Sequence, residues 1–152
     1  MRKFDFIVLL FFLISSFFSL NANAQDYKTG LGVRISPFFN CLTVKHFFGE
    51  KPAVEGLLNI VPSQAVVVVM AEFSNNFADQ PGLKWYYGLG GSIRFPHQGN
   101  IVVAADGIIG LEYTFSGAPI NLSLDWKPAV EFIDGDAFYP AGFGFAVRFV
   151  FK

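Results

Sequence analysis

The chain has 152 residues, with 11 Lys and Arg against 12 Asp and Glu, and a single cysteine. Aromatic content is 18%, and charged content is 15%, low against the roughly 25% of an average soluble domain. The near-neutral balance excludes the basic footprint of a nucleic-acid binder, and the lone Cys41 excludes an internal disulfide or a cysteine-based metal site.

The first element reads as a targeting segment. Arg2 and Lys3 give a positive start, Phe6 to Leu20 is apolar, and Ala22-Asn23-Ala24 supplies a small-x-small cleavage site. An uncleaved membrane anchor is the alternative. The run is short for a spanning helix and the cleavage site follows at once, which favours a cleaved signal peptide over residues 1–24. No cysteine follows the cut, so a lipoprotein signal is excluded. The remaining residues 25–152 make one domain. Without Arg2, Lys3 and Asp5 the charges are 9 against 11, a net −2. A small secreted domain without disulfides needs another source of stability, and a closed hydrogen-bonded barrel in lipid supplies one.

Eight strands are expected, in order. They run about Gly30 to Ser36, Cys41 to Phe48, Ala53 to Ile60, Gln64 to Ser74, Leu83 to Phe95, Ile101 to Phe115, Ile120 to Phe132 and Gly142 to Phe151. Breakers stand between them, including Gly49-Glu50-Lys51-Pro52, Asp79-Gln80-Pro81-Gly82, Pro96-His97-Gln98-Gly99-Asn100 and Ser116-Gly117-Ala118-Pro119. Most segments exceed the usual 5–6 or so residues of globular strands and suit the ~9–11 that cross a bilayer at a tilt. No segment shows a helical period. Pro128 removes a ladder donor and is expected at a rim or bulge. Beyond the leader no apolar run is long enough for a spanning helix, so the hydrophobicity is dispersed through alternation, as a membrane β-barrel requires.

The alternation separates two faces. In the last strand Phe143, Phe145, Val147, Phe149 and Phe151 share one face, and Gly142, Gly144, Ala146, Arg148 and Val150 share the other. In the seventh, Ile120, Leu122, Leu124 and Trp126 oppose Asn121, Ser123, Asp125 and Lys127. A lipocalin-like soluble barrel would turn the apolar face inward around a ligand. Two features favour apolar-out. The polar face is also the small face, with Gly30, Gly32, Gly88, Gly90, Ser92, Ala104 and Gly110, and an eight-stranded barrel is barely wide enough for its own side chains. The bulky face carries Trp85, Tyr87, Tyr113, Phe115, Trp126 and Phe132 toward strand ends, as interfacial girdles do. Lipid-facing aromatics are therefore Trp85, Tyr87, Tyr113, Phe115, Trp126, Phe143, Phe145, Phe149 and Phe151.

With apolar-out, parity places Arg34, Lys45, Arg94, Lys127 and Arg148 inside, against Glu55, Glu72, Asp106, Glu112, Asp125 and Glu131. Charges in a confined interior need partners. Lys127 is expected near Asp106, and Arg148 near Asp125. This network reads either as an ion or proton path or as a plug of salt bridges filling the lumen. The plug is favoured because so narrow an interior is normally filled.

Three stretches, Leu83-Lys84-Trp85-Tyr86-Tyr87-Gly88-Leu89-Gly90, 107–115 (GIIGLEYTF) and 119–128 (PINLSLDWKP), together with the leader and strand count, give the chain a resemblance. It resembles the small eight-stranded outer-membrane β-barrels of Gram-negative bacteria, the OmpA/OmpX-type and "outer membrane protein beta-barrel" families, over essentially the whole mature chain. The resemblance implies an all-β, up-and-down transmembrane barrel in the outer membrane. The Phe143 to Phe151 pattern looks like the signal that barrel-assembly machinery reads in this class, although many members finish on an aromatic and here Lys152 follows Phe151.

No catalytic, cofactor-binding or metal-binding residue is assigned. Gly88-Leu89-Gly90-Gly91 lacks the Lys-Ser/Thr and helix of a phosphate loop. Asp134-Gly135-Asp136 lacks the further oxygen ligands of a calcium loop and reads as a turn. Asn121-Leu122-Ser123 is a sequon placed mid-strand. His46 and His97 are far apart in sequence and neither is metal-spaced; His97 reads as a loop residue and His46, beside Phe47 and Phe48, as an interface position. An acyltransferase or protease needs a nucleophile beside a base, and only these two histidines offer an imidazole. No enzyme is expected. The largest loop, about Ile133 to Ala141, is the place expected for any external contact. The expected protein is a monomeric, porin-like envelope barrel whose partners are membrane lipid and the assembly machinery, with a secreted lipocalin-like barrel and a narrow pore as alternatives.

Overall fold

Period-two alternation requires extended chain, and strands and turns account for the described residues, with no helix among them. The computed structural model describes residues 27–37, 40–77, 79–133, 138–139 and 142–152. The expected leader over 1–24, the Asp134-Gly135-Asp136 turn and most of the 133–141 loop lie outside them.

Ten strand segments follow in order: β1 (Thr29–Ile35), β2 (Cys41–Phe47), β3 (Pro52–Val61), β4 (Gln64–Asn76), β5 (Leu83–Pro96), β6 (Val102–Thr114), β7 (Ile120–Trp126), β8 (Ala129–Ile133), β9 (Phe138–Tyr139) and β10 (Phe143–Phe151). Every pairing is antiparallel. Neighbours run β5-β4-β3-β2-β1-β10-β7-β6, and β6 pairs back onto β5, which closes the sheet. β7 and β8 both pair with β6 and form one stave, interrupted at Lys127 and Pro128. β9 pairs with β8 as β10 pairs with β7, giving an eighth stave. The protein is an eight-stranded closed antiparallel barrel.

The strand bounds expected from sequence agree with these to within a residue or two, except at Pro128. There one long strand becomes β7 and β8 without a change of register against β6; a register shift lies farther along, between Val103 and Ala104, where β8 passes from Glu131 to Ile133. The break keeps its backbone bonds: Gly107 N–H donates to Pro128 O at 3.0 Å and Lys127 N–H to Gly142 O at 2.9 Å. The wall is uneven. β4, β5 and β6 have 13, 14 and 13 residues, whereas β1 and β2 have seven each.

The β4–β5 turn shows why its residues were legible. Leu83 N–H donates to Gln80 O at 3.2 Å, placing Pro81 and Gly82 at the two central positions. Pro81 presets the first dihedral and Gly82 takes a φ of +85°, which side chains rarely adopt. The turns at 48–51, 77–82 and 115–119 share one end of the barrel with Tyr27 and the Phe151 terminus of β10. The connections at 36–40, 62–63 and 97–101 share the other.

Burial alternates as the faces require. Leu31, Val33, Leu42, Val44, Leu89 and Leu124 are exposed on the outer wall, while Arg34, Lys45, Glu55, Glu72, Glu112 and Arg148 are buried inside. Most of the large apolar side chains therefore face out, and the charges face in. Among the expected lipid-facing aromatics, Trp85, Tyr87, Tyr113, Phe115, Trp126, Phe143, Phe145 and Phe151 are exposed and Phe149 is half-buried. Several touch one another: Trp85 stacks on Tyr87 at 5.5 Å, Tyr87 on Phe73 at 6.0 Å, and Tyr113 meets Phe115 edge-on at 5.0 Å.

Candidate functional site

Inward parity on six staves brings a charged layer together in the lumen. Lys45 comes from β2, Glu55 from β3, Glu72 from β4, Glu112 from β6, Asn121 and Ser123 from β7 and Arg148 from β10. Lys45 Nζ lies 2.8 Å from Glu72 Oε2 and 3.3 Å from Glu112 Oε1. Glu112 also accepts from Tyr27 Oη at 3.0 Å, Ser74 Oγ at 3.1 Å and Asn121 Nδ2 at 3.1 Å. Arg148 donates to Thr43 Oγ1 at 3.1 Å, Asn121 Oδ1 at 3.2 Å and Ser123 Oγ at 2.8 Å, and its Nη2 is paired with Glu55 Oε1. Thr43 Oγ1 donates to the same Glu55 oxygen at 2.5 Å. The planar guanidinium presents several fixed donors, which suits it to a crowded centre where a point charge would leave acceptors unmet.

Two apolar clusters flank this layer. On one side Tyr27, Phe47, Ala53 and Val150 pack together, with Tyr27 and Phe47 edge-to-face at 5.1 Å. On the other, along β2 to β6, lie Cys41, Leu57, Val66, Val68, Met70, Tyr86 and Ile108. Lys45 Nζ sits 4.0 Å from the Tyr86 ring centroid and 5.3 Å from that of Phe47, held between one ring of each cluster. Tyr27 precedes β1. Burial pushes its phenol well above the ordinary range, and the adjacent Glu112 charge adds to the shift.

A second group joins Arg34 of β1, Asp125 of β7, Tyr86 of β5 and the backbone just before β10. Arg34 Nη2 lies 2.5 Å from Asp125 Oδ1 and donates to Gly142 O at 3.0 Å, while Tyr86 Oη donates to Asp125 Oδ2 at 3.2 Å. This corrects the expected Arg148–Asp125 pair. The β10–β7 register sets Arg148 opposite Asn121, and sets Gly144 opposite Asp125. Arg34 reaches Asp125 across β10 because Gly144 has no side chain: a Cβ there would lie 2.3 Å from Arg34 Cζ. Arg148 turns instead across the lumen to Glu55.

The rim holds two more pairs. Lys127 Nζ meets Asp106 Oδ1 at 2.5 Å, the pair expected from sequence. Arg94 pairs with Glu131, but its side chain is 36% exposed, so it belongs to the mouth and not to the interior where parity placed it. The eleven charges thus form separate groups rather than one network. Sequence reasoning missed Tyr27, which lies before the first strand, and the hydroxyl and amide partners Thr43 and Asn121. It also missed that Val66, Val68 and Met70 face inward, although the parity of Glu72 on the same strand carries that signal.

Other expected positions are scattered. His46 Nδ1 is hydrogen-bonded to Thr29 Oγ1 at 2.8 Å, near the 48–51 turn, whereas His97 donates its backbone N–H to Ser63 O at the opposite end of the barrel. Among the described residues no group of three or more His, Cys, Asp or Glu is arranged to hold a metal ion.

Set beside known proteins, the chain matches no protein-family model, no curated protein and no solved structure. The fold and lumen define its class: a closed eight-stranded barrel, apolar outside and charged within.

Proposed function

We propose that the chain is a small integral outer-membrane barrel, exported through its N-terminal leader and inserted by barrel-assembly machinery, with an envelope-structural role. The observation that carries this reading is the polarity of the wall. A closed barrel has no free sheet edge, so the paired stretches of its staves satisfy their backbone groups without water, as a bilayer demands. The exposed side chains between its ends are largely Leu, Val, Ile and aromatics, and the charged layer is held inside.

The lumen supports a plug in preference to an open channel. Charged side chains fill its centre at 0–1% exposure, and apolar clusters stand on either side. The barrel then works as a monomer with lipid as its main partner and without catalysis.

Washing isolated envelopes with carbonate or urea tests the proposal. The barrel is expected to stay with the membranes and to migrate differently on gels when unheated. Release into the soluble fraction would instead favour a secreted lipocalin-like barrel. Planar-bilayer recordings separate the plug from a narrow pore: the plug predicts no steady conductance.

A further inference from the structure

The barrel closes at one seam. β1 and β10, in the first and last staves, pair from Thr29 against Phe151 to Ile35 against Phe145. Every other junction joins staves that follow one another along the chain, where the connection between them helps to fix the register. The seam has no such connection. Its outer face does not choose a register either: Leu31, Val33 and Ile35 meet Phe145, Val147, Phe149 and Phe151, apolar against apolar. A slip of two residues keeps every side chain on its own face, so several registers satisfy the outer wall. Each would close the sheet with a different stagger and tilt.

The inner face does choose. Arg148 lies opposite Gly32, whose own partner on β2 is Thr43. A Cβ at Gly32 would lie 2.7 Å from Arg148 Cα. The bare glycine lets β10 lie close and leaves the guanidinium a path to Thr43 Oγ1 at 3.1 Å and to Glu55 on β3. Slipping β10 one way sets Arg148 opposite Gly30, whose partner on β2 is Lys45. The first side chain that Arg148 meets is then a cation in place of a hydroxyl. Slipping it the other way sets Arg148 directly against Arg34, and carries Gly144, over which Arg34 reaches Asp125, farther from Arg34. Like charges placed opposite one another destabilise a strand pair.

The two slips are not equivalent. The first sets Arg34 directly opposite Gly144, in one row with Asp125, so the Arg34–Asp125 pair survives it. Arg148 against Lys45 is what forbids that slip.

We propose that Arg148 sets the closing register of the barrel, and with it the tilt of the staves, through the cations that bracket it. Lys45 bars a slip in one direction and Arg34 bars it in the other. Glu55 and Thr43 receive Arg148 in the register between them. The device depends on the lumen and not on what surrounds the wall.

Disulfide cross-linking of the full chain folded in detergent tests this, with the single native cysteine removed by Cys41→Ser. Val33→Cys is combined with Val147→Cys, Phe145→Cys or Phe149→Cys, which report the observed register and the two slips, because a disulfide favours directly opposed positions. With Arg148 present, the 33–147 pair should cross-link well and the other two weakly. Arg148→Met with Glu55→Gln removes the ion pair without stranding a buried charge, so this chain should still fold. In it the 33–145 cross-link should rise several-fold at the expense of 33–147, with no rise at 33–149. A double variant that keeps the observed register alone, or that slips toward 149, would overturn the proposal. Loss of all three cross-links would overturn it too, by making the ion pair a source of stability and not of register.

Discussion

Arg148 and Arg94 both meet a glutamate, yet the Arg148 side chain is 0% exposed and that of Arg94 is 36%. At the centre, four neighbours hold the guanidinium and water is shut out by apolar clusters on both sides. At the rim, solvent reaches Arg94 and screens the pair, although the Glu131 side chain is only 7% exposed. The same chemical pair is a structural keystone in one place and nearly incidental in the other, so position in the lumen decides its worth, not partner identity.

Substitutions can break that contrast in order of effect. Arg148→Met leaves Glu55 buried without its main partner and is expected to cost about 3–5 kcal/mol in urea unfolding of the folded barrel. The outer wall supplies the next largest effect. Leu124 is exposed mid-strand on β7, so Leu124→Arg should cost about 2–4 kcal/mol in vesicles, as a charge near the midplane does. Gly144→Val puts a side chain where Arg34 passes and should destabilise by about 1–3 kcal/mol through overpacking, read as a lowered unfolding midpoint. Arg94→Gln at the rim should change the same midpoint by no more than about 1 kcal/mol. An Arg94 effect as large as that of Arg148 would erase the distinction between the two regions.

Much of the barrel is legible in the sequence because its signals are local. Alternation and the Pro-Gly turns fix eight staves, and the small, charged face against the bulky one fixes inside and outside. The Lys127–Asp106 pair is legible too, since both residues flank the same stave interruption. Partners that meet across the lumen are not. Whether Arg148 or Arg34 takes Asp125 depends on the β10–β7 register and on the gap at Gly144, and neither is written in the periodicity of one strand. The Val66 to Val69 run conceals its own parity, which is why the apolar cluster within a charged lumen was not anticipated. Tyr27 escapes because it closes the barrel from outside any strand.

The central claim is that the apolar outer wall meets lipid. The chain has two tryptophans, Trp85 and Trp126, and both lie exposed on that wall. Intrinsic fluorescence of the barrel folded into vesicles, with and without bromine atoms on the acyl chains, reads their surroundings directly. Strong quenching by the brominated chains, with protection from a water-soluble quencher, is the predicted result. Indifference to the brominated lipid together with ready quenching from water would contradict it.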